Sequence, residues 1–488
     1  MPLPDNLPVL LFAVAVIFLA GAVVFYAVVR DHLRFSRLER FAYCYPLGMS
    51  ALGMPMFLAS WAGFHIRVLP VLLLIVLVAG IAYAVRRVPF SNLWKRNPGA
   101  VPVKPFNEFE WLLFAILAGC LLIRTLTSLV IPLNDGDGHA VWCFKAKIFF
   151  YDTVRTTDYF SRHELNYSNV RYPLLVPFMY TWVSTVAGRW DEMGIFIINP
   201  TNLVMFAVLL YCTLCRFAAR PVALGVVAML SSLPALMHYA ECGQGDVPLM
   251  LLGGASLFCL FDWIQSRRTD SLVLAAFLMG GALFTKEEGR ILFLAHLGVA
   301  GISVLWGTPR SQWLGHARQI GIYVGIAGVM ALPWFVFRRT IVDYQVFTTS
   351  VDLRNIRWDQ IPNLLSTIVQ TAVNFRNSAN LPKWNLLWPL MVLAVAVNWK
   401  QTFQAPWRYV FAVWFLHACG VGIVFLASPE PLVYPSLEVG FERYTLIMLP
   451  PLWLMLGLAL NRFWELWKSD AAASRQTERA GPPPTRRD

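Results

Sequence analysis

A chain of 488 residues that is 57% hydrophobic and only 14% charged carries too little charge to cover a soluble globular surface, for which roughly 25% is usual. Its mean hydropathy is +0.56. The net charge of +12 does not call for a nucleic acid, because Lys and Arg of a polytopic membrane protein collect in its cytoplasmic loops. These quantities exclude a soluble domain as the main body and predict an all-α, multi-pass membrane protein.

Residues 7–29 form an uncharged run of 23, enough for the roughly 20 apolar residues that cross a hydrocarbon core. The start Met1-Pro2-Leu3-Pro4-Asp5 lacks the positive region of a secretory signal, so this span is expected to be retained. Apolar runs follow at 43–64, 68–85, 111–133, 193–215, 222–236, 247–264, 272–284, 291–306, 320–337, 385–397, 410–427 and 446–460. They predict about thirteen spans, of which 272–284 and 385–397 are short. The run 174–186 follows Tyr172-Pro173 and reads as a juxtamembrane or re-entrant helix. No internal repeat is visible.

Basic residues set the orientation. Arg30, Arg34, Arg37 and Arg40 separate spans one and two, and Arg86, Arg87, Lys95, Arg96 and Lys104 separate spans three and four. Arg216/Arg220, Arg267/Arg268, Arg310/Arg318 and Lys400/Arg408 continue the series, and the tail adds Arg475, Arg479, Arg486 and Arg487. With the N-terminus outside, every group falls on the cytoplasmic side. The tail 469–488, ending in Pro482-Pro483-Pro484 and Arg-rich, reads as disordered.

The outside loops then hold the polar clusters. The first is Asn134-Asp135-Gly136-Asp137-Gly138-His139, followed by Trp142, Lys145 and Lys147. In an extended segment Asp135 and Asp137 point the same way and offer two carboxylates to one site, with glycines leaving room. Residues 139–151 read as an amphipathic interface helix. A solvated or calcium-like acidic turn is the plainer alternative. The second cluster, Glu241-Cys242-Gly243-Gln244-Gly245-Asp246, either serves a site or simply places Asp246 as a helix cap ahead of Pro248. The third, Thr285-Lys286-Glu287-Glu288-Gly289-Arg290, is a solvated turn or a Lys/Arg pair for phosphate held by Glu partners. The fourth is Arg443 at the outer end of the last span, a phosphate contact or a snorkelling anchor. Arg124, inside span four, reaches the Asp loop or pairs within the bundle. His296 is expected to be a satisfied core histidine. Cys212 and Cys215 have CxxC spacing but sit in an apolar helix, where packing is the simpler reading. Cys143 and Cys242 fall in two outside loops and are candidates for a disulfide.

Taken in order, these motifs resemble the GT-C superfamily of glycosyltransferases that use polyprenyl-phosphate sugars, and most of all the bacterial protein mannosyltransferase and aminoarabinose transferase group. Asp135-Gly136-Asp137-Gly138-His139 with Trp142, Lys145 and Lys147 is similar to the aspartate, tryptophan and Lys-Ala-Lys pattern of that group's first outside loop. Arg171-Tyr172-Pro173-Leu174 resembles the Tyr-Pro segment closing that loop. Gly243-Gln244-Gly245-Asp246-Val247-Pro248 resembles the second acidic motif, and Thr285-Lys286-Glu287-Glu288-Gly289 the Lys-Glu-Gly motif. The resemblance covers roughly residues 111–337. It departs in having three spans ahead of the module and Asp137-Gly138 where mannosyltransferases carry Asp-Glu.

The resemblance implies a bacterial inner-membrane glycosyltransferase with its site on the periplasmic side. A polyprenyl-phosphate-linked sugar would be the donor and an extracytoplasmic hydroxyl the acceptor. A sugar phosphate is a good leaving group, so one carboxylate base suffices, which predicts single displacement with inversion by analogy with inverting hydrolases. Asp137 is the expected base, with Asp135 as the alternative. His139, Trp142, Lys145, Arg171, Tyr172, Glu241, Asp246, Lys286, Glu287, Glu288 and Arg443 are the expected substrate-binding residues. A divalent metal on the two aspartates is conceivable, but further ligands are not evident. The rival classes are a flippase or transporter, whose charges belong near the midplane, and a polysaccharide polymerase or ligase relying on Arg354, Arg357 and Arg376. The organisation expected is 1–104 N-terminal spans and basic loop, 105–338 GT-C-like module, 339–384 periplasmic loop, 385–468 C-terminal spans, and 469–488 tail.

Overall fold

The computed structural model describes residues 6–95, 104–133, 135–341, 354–373, 387–427 and 433–480, all of them helix or connection, with no strand among them. The helices are α1 (Leu7–Val28), α2 (Arg37–Trp61), α3 (Val68–Arg86), α4 (Glu108–Val130), α5 (Phe144–Tyr151), α6 (Leu175–Ala187), α7 (Ile198–Leu214), α8 (Arg220–Ser231) and α9 (Pro234–Glu241). They continue with α10 (Asp246–Ser266), α11 (Thr269–Leu283), α12 (Gly289–Gly307), α13 (Trp313–Arg338), α14 (Ile361–Val373), α15 (Leu387–Val397), α16 (Trp399–Thr402), α17 (Trp407–Leu426) and α18 (Val433–Ala480).

Nine helices of the described residues are long and apolar enough to cross a bilayer, or up to ten if the bent pair α8 and α9, which meet at 61°, is one span. The expected thirteen is therefore not reached on length and apolarity alone. The apolar part of α2 carries Pro46 and Pro55 within the helix, with Tyr43, Tyr45, Gly48, Ser50 and Gly53, which lower its hydropathy. With 15 and 11 residues, α11 and α15 rise only about 22 and 16 Å, short of the roughly 30 Å hydrocarbon thickness. The last helix also departs from expectation. It starts well before Leu446, so Arg443 lies within it rather than at its outer end, and it runs on to Ala480 through the stretch expected to be disordered. Ala471, Ala472 and Ala473 with Arg, Glu and Gln neighbours are strong helix formers. Residues 481–488, including Pro482–Pro484, lie outside the described residues.

The core is layered by exposure. Almost the whole of α10 is buried, packed by α7, α11, α12 and α18. By contrast α3 and α4 are largely exposed, showing Leu69, Leu73, Val76 and Leu77, and Trp111, Leu112, Leu122 and Ile123. Apolar side chains on the rim of a polytopic bundle are the surface that faces lipid. Local signals set the helix starts: Ser36 Oγ accepts from Glu39 N–H, and Asn107 with Glu110 forms a reciprocal capping box on α4.

Charge is segregated to the two ends of α10. At its C-terminal end Asp262 receives Arg34 (2.9 Å) and Arg216 (3.0 Å), Arg216 also reaches Glu39, and Arg34 also reaches Asp270 at 3.0 Å. Arg220 pairs with Glu110 nearby in the same layer of helix ends. At the N-terminal end stands Asp246, sixteen residues and about 24 Å of helix rise away. Arg34 and Arg216, two of the arginines expected in cytoplasmic loops, are thus joined through Asp262, and the motif residues gather at the opposite end.

Candidate active site at the charged end of the bundle

The first acidic loop is not extended. Residues 136–137 are already helical, and a π-helical turn, Gly138–Cys143, leads into α5. Asp135 starts this turn. Its Oδ1 accepts the Gly138 N–H at 2.6 Å and its carbonyl accepts the His139 N–H at 3.1 Å. A short carboxylate at the head of a helix satisfies otherwise orphaned donors, and that preference overrides the alternation expected of a strand. Asp135 and Asp137 consequently serve different partners. Gln244 Nε2 donates to Asp135 Oδ1 at 2.8 Å, joining the first and second loops, whereas Asp137 accepts from Arg443. Gly136 is open on all sides, but a Cβ on Gly138 would fall 2.1 Å from the Cys242 carbonyl oxygen. Only a glycine lets the loops touch there.

The motif residues converge on Asp246. This aspartate is the first residue of α10 and is wholly buried, yet it makes no side-chain cap. Its carboxylate faces cations instead. Lys286 Nζ donates to Oδ1 at 2.7 Å and Arg443 Nε to Oδ2 at 3.3 Å. Lys286 also holds Glu288 at 2.8 Å, and Arg443 Nη1 holds Asp137 Oδ2 at 2.7 Å. The result is a continuous chain, Glu288–Lys286–Asp246–Arg443–Asp137, drawn from four separate segments. Exposure rises from Asp246 outward: Asp246 is 0% exposed, Arg443 17% and Asp137 50%. A buried charge survives only with such partners, so the anchored inner half fixes the position of the open outer half.

The remaining candidates surround this chain. Trp142 is fully buried, and a Cβ on Gly245 would meet its ring at 2.6 Å, so the indole packs against the backbone preceding Asp246. Lys145 is also fully buried. Its Nζ donates to the Asn169 carbonyl at 2.7 Å and lies 5.8 and 5.6 Å from the ring centres of Trp142 and Tyr172. Burial pushes its pKa well below that of an ordinary lysine. Arg171 and Tyr172 are half-buried beside α6. His139 Nε2 donates to the Leu133 carbonyl at 2.8 Å, pinning the loop to the end of α4. Glu241 pairs with Arg124 at 2.6 Å, so Arg124 does reach the loop layer, at the second loop rather than the first. Glu287 pairs with Arg290 and with Arg338 at 3.1 Å, and burial raises its pKa against the pull of these arginines. It ties the turn to α12 and α13 through these arginines.

Sequence reasoning missed Gln244 and Asn169. Gln244 sits between the two glycines of the second motif, a hint of a specific contact; Asn169, acting through its carbonyl, leaves no side-chain signal. Cys143 and Cys242 are both free thiols, as are Cys212 and Cys215. His296 is fully buried, with Nδ1 3.4 Å from Ser256 Oγ. Of the alternative arginine set, Arg354 and Arg357 lie just before α14, and Arg376 falls outside the described residues.

The described residues thus form a helical bundle of membrane-spanning character with one ion-pair cluster at each end of α10, and the motif residues gather in one of the two. Residues 171–337 match the sequence model of the dolichyl-phosphate-mannose-protein mannosyltransferase family. That match supports a membrane glycosyltransferase of the GT-C type, and the family implies a lipid-linked sugar donor. It spans Arg171, Tyr172, Glu241, Asp246, Lys286, Glu287 and Glu288, and ends before Arg443. Comparison with curated proteins and with solved structures gave no match.

Proposed function

We propose that the protein transfers a sugar from a polyprenyl-phosphate donor to a hydroxyl acceptor on the extracytoplasmic face of a bacterial inner membrane, with inversion at the anomeric carbon. The observation that carries this reading is the ion chain from Glu288 to Asp137. It holds the half-exposed Asp137 carboxylate on Arg443, with Lys286 further in on the shared Asp246, which suits a reaction needing a base for the acceptor and positive charge for the departing phosphate. Asp137 takes the acceptor proton as the hydroxyl oxygen attacks the sugar, and the lipid phosphate leaves with the electrons of the glycosidic bond. Arg443 lies between the two tasks. When the donor phosphate enters, the guanidinium exchanges Asp137 for a phosphate oxygen and the carboxylate is released to act as base. Lys286 and buried Asp246 keep Arg443 in place throughout.

The position of Asp137 and Asp246 at helix starts and of Lys286 between two helices supports chemistry at one membrane face over a transport route through the midplane. The ion-pair belt of Arg34, Arg216 and Arg220 at the other end supports an outward-facing site by the positive-inside rule. Purified protein in lipid nanodiscs, given a polyprenyl-phosphate sugar and a panel of hydroxyl acceptors, tests the reading. Release of polyprenyl phosphate with formation of a glycoside of inverted configuration is expected. Donor left intact with every acceptor, together with unchanged surface glycans and lipids in cells lacking the protein, would refute it.

A further inference from the structure

We propose that Asp135, His238 and Cys242 form a zinc site clamping the first acidic loop to the second. The three residues bring one oxygen, one nitrogen and one sulfur ligand atom within 4.8 Å of one another. The local fold explains why. His238 lies in the last turn of α9 and Cys242 caps its C-terminus, and a spacing of four puts both on one helix face. Cys242 Sγ stands 3.3 Å from His238 Nε2 and 3.6 Å from Nδ1. Two ligands of one tetrahedral zinc, at about 2.0 Å for nitrogen and 2.3 Å for sulfur, are separated by about 3.6 Å. The pair is therefore spaced as zinc ligands are spaced.

Asp135 completes the set from the facing loop. Its orientation is fixed by the Gln244 and Gly138 hydrogen bonds, both on Oδ1, the kind of outer-sphere support that orients metal-binding carboxylates. The loops meet closely at this point, where Gly138 abuts the Cys242 carbonyl. Thiolate and imidazole select zinc over magnesium or calcium, which favour all-oxygen shells. Three protein ligands leave a fourth position for water. Cys242 is buried while His238 is exposed, so an ion enters from the His238 side. The simpler arrangement, a Cys242 thiol donating to the His238 ring, would take up no metal. The proposal goes beyond glycosyl transfer and stands or falls without it.

The test uses the full-length protein in detergent, loaded with zinc, desalted and analysed for metal by mass spectrometry. About one zinc per chain is expected, with at least about tenfold weaker retention in His238→Ala and Cys242→Ser and none of that loss in Cys143→Ser. Cobalt in place of zinc should give thiolate-to-cobalt absorption that Cys242→Ser abolishes. Should either variant fail to fold, the wild-type protein still decides: zinc should slow alkylation of Cys242 and a chelator should restore it. A wild-type chain that retains no zinc and shows no cobalt–thiolate band overturns the site, as does zinc retention at the wild-type level in both ligand variants. None of these measurements uses transfer activity.

Discussion

Lys286 and Arg443 both bind Asp246, but their surroundings assign them different sensitivities. Lys286 is sealed between Asp246 and Glu288, so Lys286→Ala takes this cation from buried Glu288 and leaves buried Asp246 with Arg443 alone. Breaking a buried pair from one side costs about 3–5 kcal/mol, and the expected outcome is a clear drop in unfolding temperature as well as activity. Arg443 bridges toward the half-exposed Asp137. Arg443→Lys keeps the charge but loses the fork that reaches two carboxylates at once. A charge-assisted contact is worth about 1.5–3 kcal/mol, so donor use should fall roughly tenfold or more with little change in stability. Donor titration of both variants separates the cases, and equal stability loss in the two would contradict the division. Asp137→Asn removes the basic oxygen while keeping shape. Transfer should fall by at least about 10²-fold with donor binding retained; a near-normal rate would move the base to another group.

At the scale of elements, the site depends on how closely loops approach. Gly138 lies against the Cys242 carbonyl and Gly136 lies in open space, although the sequence presents them as equivalent members of one Gly-rich motif. Gly138→Ala is expected to push the first loop off the second and lower transfer about tenfold or more, since small misplacements of reacting groups cost about 10²-fold in other enzymes. Gly136→Ala is expected to leave transfer within about twofold, because surface substitutions away from contacts change stability by only about ±0.5 kcal/mol. Assay of the two single variants side by side checks this, and equal effects would mean that the loop contact does not matter. The inner surface of α18 matters in the same way: a helix that begins at Val433 rather than near Leu446 turns Arg443 from an end residue into one held by backbone on both sides.

Across the whole molecule, the two charged ends of α10 define its polarity. The belt around Asp262 uses arginines from the loops predicted to be cytoplasmic, and the chain around Asp246 uses the motif residues. A cysteine introduced as Ala480→Cys is expected to resist labelling by an impermeant maleimide in intact cells, while one placed at exposed Gly136 reacts. Labelling at 480 from outside would invert the orientation and move the site to the cytoplasm.

The sequence by itself determined the membrane class, most helix positions and the identity of the charged motifs, because these depend on local quantities: apolar run length, capping residues and the cost of placing charge between apolar spans. It also pointed to Asp246, Lys286 and Arg443 individually. Only the tertiary structure decided which charge meets which. Asp135 and Asp137 share a motif yet part company because one is consumed by a helix start, a competition between local hydrogen bonding and alternation that the sequence leaves open. Arg443 reaches Asp137 across 306 residues, and Gln244 finds Asp135 across 109. Pairings at such separations follow from which helices pack together, and burial then enforces them, since an unpartnered charge in that interior costs more than the fold can offset.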